Sequence, residues 1–450
     1  MLGLELNDRA LALARDGALL GVEPSAVLRA ADGERYGDAA WQSLRRVPGL
    51  VSVRQLGEVA GHRADAASYA LLTRELRARG AGFAVLQDPA WIALSQRFDV
   101  AAMGECLSVL RAAGIGVAGF VDSAAAIVAW LGLTSPALVL DFGLQQSTLT
   151  LVAPGDSGVH LRRASHVDFG MLDLLERWLA LAAEAMVKRT RFDPLHDARQ
   201  EQQLFDLLPA AAAAAQLQGE VLLRMPAAGG EIEVQLSRDQ FVTAVAPLQA
   251  LLLRALQELR PAGRRYSLLA PQPLLQWPGF AAQLGAAGAS EVLGLPDGMA
   301  ACAASSLPAA AAAGAASVQY LTRLPQAAHV RSLADAGVIR AGSAEATGAP
   351  RAATHVLYQG RARAIDADGL VLGREPCDSP RTLRLADGIA GLSRRHCTLL
   401  RVDDASFIID HSTHGSFLDG EPVAGRAPLH AGSVLRLGTP GIELPLLAID

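Results

Sequence analysis

The residues best suited to chemistry lie near the carboxyl end of this 450-residue chain. Arg374, then Ser393 with Arg394, then Thr413 with His414 follow one another, each beside a short apolar run. The planar guanidinium of arginine matches two oxygens of a phosphate, and the hydroxyl and imidazole groups add hydrogen-bond donors. This ordered series predicts a site for a phosphorylated partner.

Short strand-like runs flank these residues and would have to orient their side chains. From His355 onward the sequence contains the runs HVLYQ, LVLG, CTLLRV, SFIID and SVLRLG. Turn residues separate the runs at intervals of about eight to twelve positions, which is typical of an all-β sandwich. Because loops on a rigid scaffold often carry binding residues, we expect residues 355–450 to form a β-sandwich with the site in its loops.

This series resembles the forkhead-associated (FHA) domain, a β-sandwich that recognises phosphothreonine. The resemblance covers about residues 355–450. It implies that Arg374 and Ser393 hold the phosphate and that Arg394 assists them. It also implies that Thr413 orders or binds the ligand. The expected partner is therefore a phosphothreonine-bearing protein.

The same resemblance indicates residues that shape the binding loops. His396 matches a histidine that supports these loops, and Gly373, Gly415 and Gly420 match turn positions. His414 stands where the family usually has an asparagine that holds the backbone of the bound peptide. Histidine also donates hydrogen bonds, but with a different reach. The alternative is a sandwich that serves only as a scaffold; the retained arginine and serine favour phosphate binding.

The first 308 residues alternate strand-like and helical patterns, as expected of an α/β protein. The fragments GLELND, ALVLDFG, HVDFGMLD and EVLGLPDGMAACAAS occur in that order. Their order resembles the ATPase domain of the seventy-kilodalton class of heat-shock chaperones, within the actin-like superfamily. The resemblance implies a two-lobed fold over residues 1–308. In that fold glycine-rich hairpins surround the phosphates of ATP, because glycine lets backbone N–H groups approach an anion closely.

The expected nucleotide site has lost most of these glycines. The first hairpin contains Glu5 and Asn7 where the family has aspartate and glycine. The second keeps Asp141 and Gly143, but Leu-Gln-Gln follows in place of Gly-Gly-Thr. Gly170 is followed by methionine instead of a second glycine. The family's adenosine-binding motif has a glycine pair that this chain lacks. The family's catalytic lysine lies early in the first lobe, and this chain has no lysine there.

These losses predict a pseudo-ATPase that keeps the fold without the catalysis. We expect no catalytic residue, no bound metal and no cofactor in this region. The alternative is weak binding of ATP with Mg²⁺ and no turnover, which the missing glycines disfavour.

Residues 309–354, between the two domains, are rich in Ala, Gly, Ser and Arg. This composition is typical of a flexible linker. We expect one short ordered piece within it, around residues 318–326.

Composition argues against other classes of partner. The net charge is −5 with a pI near 6.1, and no basic stripe is present, so nucleic acid is not an expected partner. About half of the residues in the apolar run at 299–321 are alanine, which contributes little to membrane insertion. The cysteines are scattered and the sequence starts without a basic and apolar leader. Together with arginine used in place of lysine, as in GC-rich genomes, these features predict a protein of the bacterial cytoplasm.

The expected function is that of a non-catalytic signalling adaptor. Its FHA-type domain would dock a phosphothreonine-bearing partner, and the degenerate actin-like domain would offer a second interaction surface. One alternative is an ATP-binding, chaperone-like ATPase that is regulated by phosphate-dependent docking. Another is an assembly scaffold that binds its partners without phosphate. The sequence leaves the oligomeric state open.

Overall fold

A computed structural model defines the fold and divides the chain into two compact units, Met1–Gly342 and Ser343–Asp450. The boundary falls inside the predicted 309–354 linker. The structure describes residues 1–450 except for 83–87, 156–157, 228–229, 262–264, 309–317, 326–332, 342–351, 359–360, 377–380, 387–388, 403–404, 419–420, 424, 431–432, 440 and 448–450.

The helices that the structure describes all belong to the first unit, where they cover the strands. They are α1 (Asp38–Trp41), α2 (Gln55–Ala60), α3 (Ala66–Gly82), α4 (Val100–Ala112), α5 (Ser123–Trp130), α6 (Met171–Thr190), α7 (Ala198–Gln218), α8 (Arg238–Leu259), α9 (Gln272–Leu275), α10 (Phe280–Ala286) and α11 (Met299–Ser305), with a 3₁₀ turn at Pro194–His196.

The strands of the first unit form two large sheets and two small ones. They are β1 (Leu2–Leu6), β2 (Ala10–Arg15), β3 (Ala18–Pro24), β4 (Val27–Ala30), β5 (Gly33–Tyr36), β6 (Val51–Ser52), β7 (Ala90–Leu94), β8 (Val117–Asp122), β9 (Ala137–Phe142), β10 (Ser147–Gly155), β11 (Gly158–Val167), β12 (Glu220–Ala227), β13 (Gly230–Ser237), β14 (Ser267–Pro271), β15 (Glu291–Leu295), β16 (Tyr320–Leu321), β17 (Arg323–Leu324) and β18 (Ile339–Ala341).

The two large sheets share one arrangement of five strands. In the first sheet β1, β2 and β3 form an antiparallel meander, and β7 and β8 continue it in parallel on the other side of β1. In the second sheet β9, β10 and β11 form the same meander, and β14 and β15 continue it in parallel beside β9. The first unit therefore contains the same strand order twice.

Burial explains why the central strands read as continuous apolar runs. Every residue of β7, with the sequence AWIAL, is buried. A strand covered on both faces by helices or neighbouring segments needs apolar side chains at every position. The second sheet has the larger core, where Trp178 of α6, Phe205 of α7 and Phe241 of α8 are buried together. This core also contains Leu138 of β9 and Leu149 of β10, so the helices pack against the second sheet.

Three short strands within the predicted linker belong to the large sheets. Strand β16 pairs in parallel with β8, β17 pairs with β11, and β18 pairs with β15. Strands β16 and β17 agree with the short ordered piece expected around residues 318–326. The expectation of a flexible linker does not hold at residues 339–341, because β18 adds a strand to a sheet edge. Strands this short leave no periodic pattern in the sequence.

The second unit is a β-sandwich. One sheet has the order β20-β19-β29-β28-β25-β26 and the other β22-β21-β23-β24-β27. Apolar residues of both sheets, including Val356, Leu399, Ile408 and Leu435, form one buried core between them. The strands are β19 (His355–Tyr358), β20 (Arg361–Ala364), β21 (Leu370–Gly373), β22 (Thr382–Arg384), β23 (Cys397–Val402), β24 (Ala405–Asp410), β25 (Ser416–Leu418), β26 (Glu421–Pro422), β27 (Arg426–Leu429), β28 (Val434–Leu437) and β29 (Ile442–Leu447).

Candidate functional site

Three loops of the sandwich meet at one end and bring the predicted phosphate ligands together. Arg374 directly follows β21, and its main-chain N–H donates to the carbonyl of Ser393 at 3.1 Å. The next residue, Glu375, donates to the carbonyl of Arg394 at 3.0 Å. These bonds continue the pairing of β21 beyond its end. They place the arginine beside the loop that contains the serine.

The third loop contributes Thr413. Its main-chain N–H donates to Ser393 Oγ at 3.2 Å, and the two hydroxyl oxygens lie 3.1 Å apart. A single serine hydroxyl therefore joins two loops. Because both hydroxyls can rotate their protons, the pair can donate to an incoming oxyanion.

The charged side chains at this site face solvent. Arg374, Arg394, Thr413 and His414 are exposed, and Ser393 is half-buried. Among the described residues, neither the Arg374 nor the Arg394 guanidinium has an ion-pair partner. Their charge is thus available to an anionic ligand.

His396 connects the loop that contains Ser393 to the loop that contains Gly415. It is fully buried; its Nδ1 accepts the N–H of Ser393 at 3.0 Å, and its Nε2 lies 3.2 Å from the carbonyl of Gly415. Because Nδ1 accepts, the ring is neutral and its proton is on Nε2, which donates to Gly415. Burial lowers the pKa of His396 below the ordinary value of histidine.

Two glycines permit the close approach of these loops. A Cβ atom at Gly373 would lie 2.0 Å from the carbonyl oxygen of Arg394, so any side chain there would force the loops apart. Gly415 has a φ of +78°, a conformation that favours glycine. Gly420, the third predicted turn glycine, lies outside the described residues.

Asp410 is a positioning residue that the sequence reasoning missed. Its carboxylate accepts the N–H of Ser412 at 3.1 Å and the hydroxyl of Ser416 at 2.8 Å, which orders the loop between them. Although partial burial acts in the opposite direction, these hydrogen bonds hold the pKa of Asp410 below its usual value. An aspartate at a strand end two residues before a serine is the available signal, because it favours an Asx turn.

The sequence of this unit matches a known family. Residues 370–438 match the model of the FHA domain. The matched range includes Arg374, Ser393, Arg394, Thr413 and His414. No curated protein matches the chain. The second unit thus contains an FHA domain, which supports binding of a phosphothreonine-bearing protein in a signalling or adaptor role.

In the first unit, three of the predicted nucleotide-site residues line a small cavity. Glu5, Asn7 and Asp141 line the cavity, whose volume is about 50 Å³. The Asn7 amide donates to Asp141, and Glu5 accepts the N–H of Ala301 at 3.3 Å. Ligand pockets usually measure about 300–1,000 Å³, so this cavity is smaller than a usual ligand pocket.

Burial in this region disfavours charge on the acids. It raises the pKa of Glu5 to about 7, and the nearby charge of Asp141 adds to the effect. The pKa of Asp141 is also raised, first by burial and then by the charge of Asp8. Any of these carboxyl groups that ionises would repel the negative charge of a polyphosphate.

Gly143 and Gly170 pack where two backbone segments touch. A Cβ atom at Gly170 would lie 2.4 Å from the carbonyl carbon of Leu144, and one at Gly143 would lie 2.4 Å from the carbonyl oxygen of Gln146. The N–H of Met171 donates to Gly143 at 3.0 Å. Both glycines are thus required by contacts within the protein itself.

The described residues also bear on metal binding and on membrane insertion. They contain no group of three or more His, Cys, Asp or Glu side chains that could hold a metal ion. None of their helices is both long and apolar enough to cross a membrane.

Proposed function

We propose that the protein is a non-catalytic adaptor whose FHA domain binds a phosphothreonine segment of a partner protein. The observation that carries the proposal is the convergence of Arg374, Ser393 and Thr413, with 3.1 Å between the two hydroxyl oxygens. These groups lie within the range that matches the FHA domain. Their charge and donors suit a phosphate.

The proposed binding mode follows from the charge of the ligand. A phosphothreonine has about −1.5 to −2 charges at pH 7 and three strong acceptor oxygens. Arg374 would pair with two of them, and the Ser393 and Thr413 hydroxyls would donate to the third. Arg394 would add positive charge, and His414 would donate to the backbone of the bound segment. Docking would thus depend on phosphorylation of the partner.

A library of phosphothreonine peptides, applied to the full chain, tests this function. We expect selection of peptides that contain phosphothreonine over the same sequences with threonine, by at least about tenfold. Phosphoserine versions serve as matched probes of the threonine methyl group. Equal capture of phosphorylated and plain peptides would instead favour the phosphate-independent scaffold.

The first unit is proposed to be a degenerate actin-like domain that presents a second interaction surface. The duplicated five-strand arrangement and the position of the small cavity beside both meanders support this proposal. The absence of glycine after Gly143 and the buried acids support the loss of ATP hydrolysis. We accordingly propose no cofactor, and a cytoplasmic site of action with a protein, not nucleic acid or membrane, as partner.

A further inference from the structure

Asp8 occupies a position between the two large sheets of the first unit. It lies in the turn between β1 and β2, which corresponds by strand order to the turn between β9 and β10 of the second sheet. We propose that Asp8 is an internal anion, which takes the place of a phosphate group and fixes these two turns together. This inference rests on the proposed function of the first unit as a degenerate actin-like domain.

The hydrogen bonds of Asp8 are those expected of a bound oxyanion. Its Oδ1 accepts the main-chain N–H of Leu144 at 2.8 Å, and its Oδ2 accepts from the Arg97 guanidinium at 2.7 Å. Asp8 is only 4% exposed, so water does not screen this ion pair strongly. A main-chain N–H at a turn together with a guanidinium is a common way to bind phosphate.

The partner turn is itself firmly attached. The carbonyl of Leu144 accepts the N–H of Leu172 at 3.0 Å, which ties the turn to α6. The Leu144 side chain is fully buried in an apolar cluster with Ala26, Leu28, Ala40 and Val53, which lie in and around the small sheet β5-β4-β6. Asp8 therefore bonds to a fixed group, not to a mobile loop.

No room remains for a second anion at this point. A Cβ atom on Gly143 would lie only 2.5 Å from Asp8 Oδ1, which shows how closely the turns approach. Beside this contact, Asn7 donates to Asp141, and Arg9 pairs with Asp297 at 2.6 Å. These bonds join the same two halves of the unit.

The position of Asp8 determines whether nucleotide can regulate the first unit. If the carboxylate fills the phosphate position, nucleotide cannot change the arrangement of the two sheets. The first unit then stays in one state, and the FHA domain alone makes the protein respond to phosphate. An Asp8→Ala substitution should convert the internal bond into an open anion site lined by the Leu144 N–H and Arg97.

Thermal unfolding of the full chain with and without sodium pyrophosphate tests the proposal. Wild type should show no rise in the Tm of the first unit, whereas Asp8→Ala should gain about 2–4 °C at ten times the dissociation constant. Leu72→Ala, which removes a buried side chain elsewhere in the first sheet's core, is the matched destabilised control. It should show no gain, which excludes general stabilisation by the salt.

Pyrophosphate stabilisation of wild type, or none of Asp8→Ala, would overturn the proposal. Should Asp8→Ala fail to fold, hydrogen exchange of wild type decides instead. The Leu144 amide should exchange slowly and be unaffected by pyrophosphate; added protection would show an open site. Phosphopeptide binding by the same protein reports on the FHA site alone, so failure of the proposed adaptor function is recognised separately.

Discussion

The hydroxyl oxygens of Ser393 and Thr413 lie 3.1 Å apart, although 20 positions separate these residues in the chain. The main-chain N–H of Thr413 also donates to the serine oxygen at 3.2 Å. A ligand phosphate at this point would meet donors from two loops at once. Ser393 therefore bonds to Thr413 and can still form a hydrogen bond on its solvent side.

Replacing Ser393 should weaken phosphopeptide binding without unfolding the domain. Ser393→Ala removes one donor to the phosphate and one acceptor of the Thr413 N–H, so we expect a loss of about 10–100-fold in affinity. Isothermal titration with the phosphothreonine peptide that the library selects most strongly measures this affinity. Ser433→Ala, which changes a serine just before β28, should bind normally. Unchanged affinity of Ser393→Ala would remove this residue from the site.

Restoring the usual asparagine at position 414 should strengthen peptide binding. An asparagine amide both donates to and accepts from a peptide backbone, whereas the exposed His414 ring has another reach. We expect His414→Asn to bind the phosphopeptide about 3–10-fold more tightly, the value of one hydrogen bond. His411→Asn changes a histidine of the same loop and should give no gain. Weaker binding by His414→Asn would show that the histidine itself contacts the ligand.

A side chain at Gly373 should destabilise the second unit. The added Cβ of Gly373→Ala would lie 2.0 Å from the Arg394 carbonyl oxygen, so the loops must separate. We expect a loss of about 2–4 kcal/mol in the free energy of unfolding of this unit, measured by calorimetry of the full chain. Gly104→Ala is the control, because it lies in α4 with open space around it. That control should be neutral or slightly stabilising.

The second unit should lose stability as the pH falls below the pKa of a free histidine. His396 is buried and neutral, and its pKa in the fold is lowered from 6.5. The unfolded chain therefore takes up a proton near pH 6.5 while the folded domain does not, so stability present above pH 6.5 is lost as the pH falls toward the folded pKa. Urea unfolding from pH 7.5 to 5 should show this decline. His396→Gln should be less stable at pH 7.5 and show a smaller decline; a stability that increases on acidification would contradict the assignment.

Nucleotide should not stabilise the wild-type protein. The cavity beside Glu5 and Asp141 is about 50 Å³, and buried acids surround it. We expect Mg-ATP to raise the Tm of the first unit by less than about 1 °C at millimolar concentration. A rise of several degrees would favour the rival function, an ATPase controlled by phosphate-dependent docking.

The sequence predicts the β-sandwich and the positions of its loops because these signals are local, whereas the binding roles of the loop residues stay a prediction. Each of Arg374, Ser393 and Thr413 stands next to an apolar strand, so a β-sandwich with loop-end ligands follows from the pattern. Asp410 is missed because its contribution depends on the loop conformation after β24. The short strand β18 is missed because three residues show no periodicity.

Contacts between distant segments of the first unit could not be predicted. The bond from Leu144 to Asp8 joins residues 136 positions apart and requires both sheets to be in place. The resemblance to actin-like ATPases indicates fewer glycines in both turns than that family has. It does not show that a carboxylate of one turn binds the other. Only the arrangement of the two meanders brings these residues together.

The most direct test of the adaptor function compares two arginine variants in one titration experiment. The full chain should bind the best phosphothreonine peptide, and Arg374→Ala should reduce the affinity by about 10–100-fold because a charge-assisted pair is lost. Arg363→Ala, an exposed arginine on β20 in the other sheet, should bind like wild type. The account would be contradicted if Arg374→Ala bound the phosphopeptide as tightly as wild type does, and wild type bound the unphosphorylated peptide equally tightly.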